Sequence, residues 1–218
     1  MRQTPSEENY IKAIYHLENS YETVTTSLLS ADVKTRPASV TDMLKKLEAK
    51  KIVDYQRYYG FSLTDLGRKI ALDIIRKHRL WEYFLVNKLG FDWDKVHVVA
   101  EDLEHISSRE LIMRLDNFLE NPSFDPHGDP IPDNKGKIKI LKQANLIDLP
   151  LKKQARVSSV KNQSTEMLDM LKHYKIGLGS TIKVNRRFDF DRSVEVKVDK
   201  NPFTIISNQV ALNVYCLI

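Results

Sequence analysis

Apolar residues recur three or four positions apart through most of the first half of the chain, which is the spacing of amphipathic helices. A capping box at Thr4–Glu7 predicts the start of a first helix, with Pro5 at its first position. A second helix is predicted over residues 27–33, and a third begins near Pro37. The positions predicted to face inward are Ile11, Ile14, Leu17, Val40, Leu44 and Leu47.

The stretch VDYQRYYGFSL alternates apolar and polar residues on both sides of a Tyr-Tyr-Gly turn, which predicts a β-hairpin. A long helix capped by Thr64 is predicted to run to Gly90, and two further helices begin near Asp92 and Ser107. Short helices followed by a hairpin form the order of a winged helix-turn-helix. The first third of the chain is therefore predicted to bind DNA or, alternatively, to be a protein–protein module of the same shape.

Four prolines lie between residues 122 and 132 and mark the clearest break in the pattern. Beyond about residue 150 the sequence changes to short runs rich in β-branched and aromatic residues, such as TIKVNRRF, SVEVKV and NVYCLI. We therefore predict a mainly α chain with a small β part at its end, where the runs suit a small barrel.

Composition adds a charge pattern to these elements. The net charge of +5 hides an acidic segment, residues 91–133, between two basic ones. Basic ends suit a polyanion and an acidic middle with histidines suits a cation, although solvated surface charge gives the same pattern. Neither a secretory signal nor a membrane span is predicted, so a cytoplasmic protein is expected. The single cysteine, Cys216, excludes an internal disulfide framework.

The third helix carries the residues predicted to contact DNA. With its apolar positions facing inward, its outer side presents basic and small polar residues that suit phosphates and base edges. Arg57, Tyr58 and Tyr59 are predicted to form the tip of the wing. The predicted DNA-binding residues of the helix are Arg36, Pro37, Ser39, Thr41, Asp42, Lys45 and Lys46.

The stretch VHVVAEDLEHISS predicts a helix with one apolar face and one face of chemical interest. At about 100° per residue, His97, Glu101, Glu104 and His105 fall within roughly 80–100° of one another. Upstream, His78 and Glu82 are one helical turn apart in RKHRLWEYF. Each pair alone is typical of a solvated surface, but two such faces brought together would assemble carboxylates that repel one another unless a cation is present.

The segments KHRLWE, VHVVAEDLEH, SEENYIKAIYHL and DPHGDPIP resemble the diphtheria toxin repressor family, which includes the manganese transport regulators. The late segment MLKHYKIGLGSTIKV resembles the SH3-like domain that ends the longer members. The resemblance implies a metal-activated repressor of metal uptake that binds a palindromic operator as a homodimer, without a small-molecule substrate. It implies a winged helix over residues 1–72, a helical metal-binding and dimerisation domain over 73–125, a linker over 126–150, and an SH3-like small β-barrel over 151–218.

The resemblance also implies two metal sites per subunit. The primary site would use Asn9, Glu101, Glu104 and His105. The ancillary site would use His78, Glu82 and His97, with Gln163 and Glu166 as the nearest match to two further ligands. Glu8 remains an alternative to Asn9.

Departures from the family pattern bear on the metal. Glu101 and Asn9 stand where iron-responsive members have a cysteine and a thioether, and hard oxygen in place of soft sulfur favours Mn(II), with Fe(II) second. Lys12 stands where manganese regulators place a bridging carboxylate, which favours two separate sites over a binuclear cluster.

Two other classes of function stay open at this point. A metalloenzyme would need an open coordination position and a substrate pocket, and the chain has no HExxH motif. A metal-sensing module that binds another protein would not need Arg36 and Lys45 to face DNA.

Overall fold

The computed structural model describes residues 3–56 and 60–218, and it divides the chain into two compact units. The first unit holds the described residues up to His78, together with Asp102–Arg109 and Pro132–Lys137. The second unit holds Arg79–Glu101, Glu110–Ile131 and Ile138–Ile218. Each unit is described by itself below.

The first unit follows the helical pattern of the sequence closely. Its elements are α1 (Pro5–Glu18), α2 (Thr26–Asp32), α3 (Pro37–Ala49), β1 (Val53–Gln56), β2 (Gly60–Leu63) and the first part of α4 (Asp65–Leu89). Thr4 caps α1, because its side chain accepts from the Glu7 N–H while the Glu7 carboxylate accepts from the Thr4 N–H. The inward-facing positions predicted from the sequence are buried in one core: Ile11, Ile14, Leu17, Val40, Leu44 and Leu47.

The predicted hairpin is present as an antiparallel pair, with Val53 opposite Leu63 and Gln56 opposite Gly60. Gly60 has a φ of +86°, and a Cβ at this position would lie 2.3 Å from the carbonyl oxygen of Val24, so only glycine fits. The predicted wing tip at Arg57, Tyr58 and Tyr59 lies outside the described residues, so it stays a prediction.

The second unit begins with the later part of α4 and adds α5 (Val96–Leu103) up to Glu101 and α6 (Arg109–Phe118) from Glu110. The sequence predicted one helical face extending from His97 to His105, but α5 ends at Leu103. The Ile106 N–H donates to the Leu103 carbonyl at 3.2 Å, which closes a tight turn. Glu104 and His105 therefore lie in a turn after α5 instead of on its surface.

The β part of the second unit is a six-stranded antiparallel sheet in the order β3-β8-β4-β5-β6-β7. Two helices interrupt the strands and pack on the same core, into which Cys216 projects fully buried. Burial raises the pKa of the Cys216 thiol to about 12. The elements are β3 (Gln143–Asn145), β4 (Gln154–Val160), α7 (Thr165–His173), β5 (Thr181–Arg187), β6 (Val194–Val198), β7 (Phe203–Ile206), α8 (Asn208–Asn213) and β8 (Val214–Leu217).

Within the described part of the chain, no helix combines the length and the apolar character that crossing a membrane requires.

Candidate metal centres and nucleic-acid interface

The first unit contains a cluster around Glu104, whose side chain is completely buried. Lys12 Nζ lies 2.6 Å from Glu104 Oε1 and 2.8 Å from Oε2, and His78 Nδ1 lies 2.6 Å from Oε2. We call Lys12, His78 and Glu104 the Glu104 cluster. It joins α1, α4 and the turn after α5, because each of these elements supplies one of its members.

The charge of Glu104 is stabilised by these partners. Burial acts to raise the pKa of the Glu104 carboxyl, but the hydrogen bond from His78 and the positive charge of Lys12 outweigh burial. The pKa of Glu104 therefore lies below its ordinary value. Glu104 is an ionised carboxylate whose oxygens are already engaged by a cation and an imidazole.

The neighbouring His105 bears on the question of which first-helix residue completes the primary site. His105 Nδ1 lies 2.6 Å from Glu8 Oε2, so Glu8 orients this imidazole. The Oδ1 atom of Asn9 is buried, and no residue that the structure describes forms a hydrogen bond with it. An unpaired buried amide oxygen is costly and fits a hard cation as its partner. Both Asn9 and Glu8 therefore stay as predicted ligands.

Helix α1 connects this cluster to α3. Glu7 Oε1 accepts a 2.6 Å charged hydrogen bond from Lys50, which caps the end of α3. Glu7, Glu8 and Lys12 all lie on α1. Through them, α1 contacts the cap of α3 and the turn that holds Glu104 and His105.

The second unit contains a cluster around Asp125, with Glu82 from α4 and His127 from the proline-rich segment. Their potential ligand atoms all lie within 4.8 Å of one another, and all three residues are buried. We call Glu82, Asp125 and His127 the Asp125 cluster. His127 Nε2 donates to the Trp93 carbonyl at 2.8 Å, which leaves Nδ1 directed toward Glu82 Oε2 at 3.8 Å. A backbone carbonyl on one ring nitrogen is the arrangement that orients the other nitrogen toward a metal.

Negative charge is in excess in the Asp125 cluster. Burial and the nearby charges of Asp129 and Glu82 raise the pKa of Asp125 to about 7, although Arg79 and His127 act in the opposite direction. Burial acts to lower the pKa of His127, but the Glu82 and Asp125 carboxylates outweigh it and the pKa is raised. The His127 Nδ1 atom is buried and, within the described part of the chain, has no hydrogen-bond partner.

The backbone around His127 is fixed against the β-sheet. The His127 carbonyl accepts from the Val160 N–H at 3.0 Å, and a Cβ on Gly128 would lie 2.0 Å from the Ser158 carbonyl oxygen. Gly128 has a φ of +85°, so glycine is required there for both reasons. The segment DPHGD therefore presents its side chains from a rigid turn.

Three other residues predicted for the ancillary site, His97, Gln163 and Glu166, differ in what they contact. His97 Nδ1 lies 3.3 Å from Glu82 Oε1, and His97 Nε2 lies 3.9 Å from Glu101 Oε2. Gln163 Nε2 donates to Asp129 Oδ2 at 3.0 Å, whereas Glu166 is exposed on α7. The assignment of these residues as ligands stays a prediction.

The metal ligands predicted from the sequence include neither Asp125 nor His127. Both lie in a tight turn, because Asp125 Oδ1 accepts from the backbone N–H groups of His127 and Asp129 at 2.8 and 2.9 Å. The available signal was the spacing of Asp, His and Asp at alternate positions inside the acidic segment. The spacing could not reveal that Glu82, more than forty positions earlier in the chain, lies close to Asp125 and His127.

The predicted DNA-binding face of α3 is exposed along its whole length. Val40, Leu44 and Leu47 are buried, and every predicted contact residue of this helix lies on the opposite, solvent-exposed side. Lys45 Nζ is 3.8 Å from Asp42 Oδ1 in a highly exposed pair, which water weakens. The exposed residues are Arg36, Pro37, Ser39, Thr41, Asp42, Lys45 and Lys46.

The Asp125 cluster fits a first-row divalent ion, because its donors are carboxylate oxygens and an imidazole nitrogen, the set that suits Mn(II) and Fe(II). The Glu104 cluster offers a carboxylate and an imidazole to such an ion only after Lys12 has left Glu104. The two buried atoms without hydrogen-bond partners noted above, Asn9 Oδ1 and His127 Nδ1, are both potential ligand atoms. Such an ion would supply positive charge and fixed coordination geometry where carboxylates converge.

Three protein-family models match the chain in succession. Residues 3–61 match the iron dependent repressor N-terminal DNA binding domain, and residues 64–133 match the iron dependent repressor metal binding and dimerisation domain. Residues 144–217 match the FeoA domain. The predicted fold class is confirmed: an N-terminal DNA-binding domain, a helical metal-binding and dimerisation domain, and a C-terminal SH3-like β domain.

Proteins that are similar in sequence to this chain agree with these family matches. The chain is 34% identical over 136 residues to the HTH-type transcriptional regulator MntR of Oceanobacillus iheyensis, covering 62% of this chain and 90% of that protein. It is 32% identical over 125 residues to the iron-dependent repressor IdeR of Mycobacterium tuberculosis, covering 57% of this chain. That alignment spans about half of the length of IdeR, 54%.

Solved structures match over nearly the full length. A manganese-dependent transcriptional repressor in complex with manganese has a TM-score of 0.86 and 31% identity, covering 97% of this chain and 99% of that one. ScaR with bound Cd²⁺ has a TM-score of 0.79 and 31% identity, with 96% and 98% covered. The chain belongs to the diphtheria toxin repressor family of metal-dependent transcriptional repressors, a family of regulators and not of enzymes.

Proposed function

We propose that this protein is a metal-activated DNA-binding repressor of metal-ion uptake, with Mn(II) as its corepressor and Fe(II) as the second candidate. The observation that carries the proposal is helix α1, which contacts His105 through Glu8 and the end of the exposed helix α3 through Glu7. An ion held at Glu104 and His105 would fix the position of α1. The position of α3 would then depend on the ion.

Two ion sites per subunit are part of the proposal. The first comprises Glu104 and His105, with Asn9 or Glu8 from α1 and Glu101 as the predicted fourth ligand. The second comprises Glu82 with Asp125 and His127, and the sequence resemblance adds His78, His97, Gln163 and Glu166 as candidates. A coupling of about 1–3 kcal/mol between ion and DNA would change DNA affinity roughly 5- to 150-fold.

Mn(II) is proposed as the corepressor in the cell, and not as the ion that these ligands bind most tightly. Zn(II), Co(II) and Ni(II) bind nitrogen and oxygen ligands more tightly than Mn(II), so availability and coordination geometry select the metal. The absence of sulfur among the proposed ligands supports a hard ion.

A homodimer on a palindromic operator is the proposed DNA complex, and the cytoplasm is its proposed location because that is where a bacterial repressor meets DNA. Helix α6 buries Ile112 and Leu115 but leaves Met113 and Phe118 more than half exposed. These exposed apolar side chains are the proposed dimer contact. Two-fold symmetry would place operator half-sites about 10 bp, or a multiple of it, apart.

The test is the affinity for a labelled duplex taken from upstream of a metal-transporter gene. It is measured by fluorescence anisotropy with Mn(II), anaerobic Fe(II) or Zn(II), and again with chelator. We expect chelation to weaken binding at least fivefold and affinity to fall steeply with salt. Unchanged binding in chelator would exclude the corepressor mechanism.

Charge reversal at Lys45 and Arg36 separates DNA binding from the protein–protein alternative. Lys45→Glu and Arg36→Glu should abolish retention of the duplex while leaving Mn(II) binding intact. Lys200→Glu, at an exposed turn of the β domain, is the matched control and should change affinity far less. Equal loss in all three variants would show nonspecific electrostatics alone.

A further inference from the structure

Both oxygens of the Glu104 carboxylate are engaged by side chains of the first unit. The Lys12 ammonium lies within 2.8 Å of both oxygens, and the side chain of Glu104 has no exposed surface. A cation placed symmetrically between the two oxygens occupies the position that a chelated divalent ion would take. The protein thus supplies its own cation at a proposed ligand.

A divalent ion and this ammonium group cannot both hold the carboxylate in that way. Metal–oxygen distances of about 2.0–2.2 Å would place the ion within a few ångströms of Nζ. Water screens like charges poorly at a fully buried position, so their repulsion is large. Lys12 has a flexible four-carbon side chain that is 13% exposed, which gives its ammonium a route to solvent.

We propose that Lys12 determines the affinity of the Glu104 site for its divalent ion, because the ammonium group must leave Glu104 before the ion binds. The inference rests on the proposed function, since it takes Glu104 as a metal ligand. Binding of the divalent ion then replaces the Lys12–Glu104 ion pair with a contact between metal and carboxylate. It does not neutralise a carboxylate that was unpaired before. Lys12 therefore weakens metal binding and stabilises the protein when no ion is bound.

The first experiment measures Mn(II) affinity of the full chain by the electron paramagnetic resonance signal of free Mn(II). We expect Lys12→Met to bind Mn(II) at least tenfold more tightly than the unmodified chain. Lys172→Met is the matched control, since Lys172 forms a 2.5 Å ion pair with Asp94, which is not among the proposed metal ligands. Its affinity should stay within twofold.

Thermal unfolding of the same proteins distinguishes this role from a merely structural one. Lys12→Met should lower the unfolding temperature in chelator and show a larger Mn(II)-induced increase than the unmodified chain. A purely structural lysine would lower stability with and without the ion and leave the increase unchanged, which would overturn the proposal. The gain in affinity should vanish in Lys12→Met combined with Glu104→Gln.

A second measurement needs no variant and so does not depend on how Lys12→Met folds. Amine labelling of the unmodified chain, quantified by peptide mass spectrometry, compares Lys12 with Lys172 with and without saturating Mn(II). We expect the labelling of Lys12 to rise several-fold on Mn(II) binding while that of Lys172 is constant. Unchanged labelling of Lys12 with Mn(II) bound overturns the proposal.

The outcomes also separate this inference from the proposed function. If the unmodified chain binds Mn(II) and Lys12→Met binds it equally or less tightly, the role of Lys12 is wrong while Mn(II) binding by the chain stands. If neither protein binds Mn(II), the proposed function fails, and the inference fails with it.

Discussion

Glu104 and Asp125 are both buried carboxyl groups, yet their pKa values move in opposite directions. The pKa of Glu104 is lowered because Lys12 and His78 contact its oxygens, whereas that of Asp125 is raised to about 7 because it is buried beside Asp129 and Glu82. Burial of a carboxyl group therefore does not by itself measure its need for an added cation. The decisive quantity is the positive charge that the protein already places there.

The contrast assigns different energetic roles to the two clusters. An ion at the Glu104 cluster would replace an existing partner, so its net stabilisation of the fold is expected to be small. An ion at the Asp125 cluster would add positive charge beside carboxyl groups that Arg79 and His127 offset only in part, so its net stabilisation is expected to be larger. The second site is thus expected to be the main source of metal-dependent stability, and the first to transmit metal binding to α1.

The largest expected effect comes from removing Glu104. Glu104→Gln leaves the Lys12 ammonium and His78 without their buried anion, and we expect the free energy of unfolding in chelator to fall by about 3 kcal/mol. Urea denaturation followed by circular dichroism measures it. Glu101→Gln is the control, because the Glu101 side chain is 44% exposed, and it should change stability by less than about 0.5 kcal/mol. Equal effects of the two substitutions would remove the basis of the comparison.

A substitution at Asp125 is expected to act with the opposite sign. At pH 8 in chelator, Asp125→Asn should raise the free energy of unfolding by about 1–2 kcal/mol, because it removes a buried negative charge near Glu82 while Arg79 keeps Asp129 as its ion-pair partner. The amide oxygen can still accept from the N–H groups of His127 and Asp129. Mn(II) should stabilise this variant less than the unmodified chain. A lower free energy of unfolding for Asp125→Asn in chelator would mean that positive charge already compensates the carboxylates of the Asp125 cluster.

The smallest expected effect concerns Asp94, a largely buried acid with its own lysine in the second unit. Its carboxylate accepts a 2.5 Å hydrogen bond from Lys172, which lowers the pKa of Asp94. A lowered pKa in the folded chain stabilises the fold above the unfolded pKa of about 4, and this contribution is lost as pH falls below it. Asp94→Asn should cost about 0.5–1 kcal/mol at pH 7 and nearly nothing at pH 2.5, with or without Mn(II). If the effect of Asp94→Asn on stability changed with Mn(II), the Asp94–Lys172 ion pair would not be independent of the metal sites.

The sequence was sufficient for features that depend on local periodicity and capping. Thr4 and Pro5 begin α1 as predicted, and the spacing of Val40, Leu44 and Leu47 separates the buried side of α3 from its exposed side. Hydrophobic periodicity succeeds in these helices because burial of one face determines their orientation. The change to β structure after the proline-rich segment follows from composition in the same way.

The sequence was insufficient where contacts between distant segments decide the chemistry. The helical face predicted from His97 to His105 is interrupted because α5 ends at Leu103, which directs Glu104 toward Lys12 and His78. His127 approaches Glu82 only because Gly128 and Val160 hold its backbone on the β-sheet. Periodicity along one segment contains no information about either event.

Cys216 has a consequence for the signals that this protein can detect. It is the chain's one cysteine, it is fully buried in the β core, and its thiol is almost never ionised at neutral pH. Because thiolates are the form that peroxides attack, oxidative stress has no cysteine switch to act upon here. A regulator whose proposed ligands are all oxygen and nitrogen would therefore report the metal supply of the cell independently of its thiol redox state.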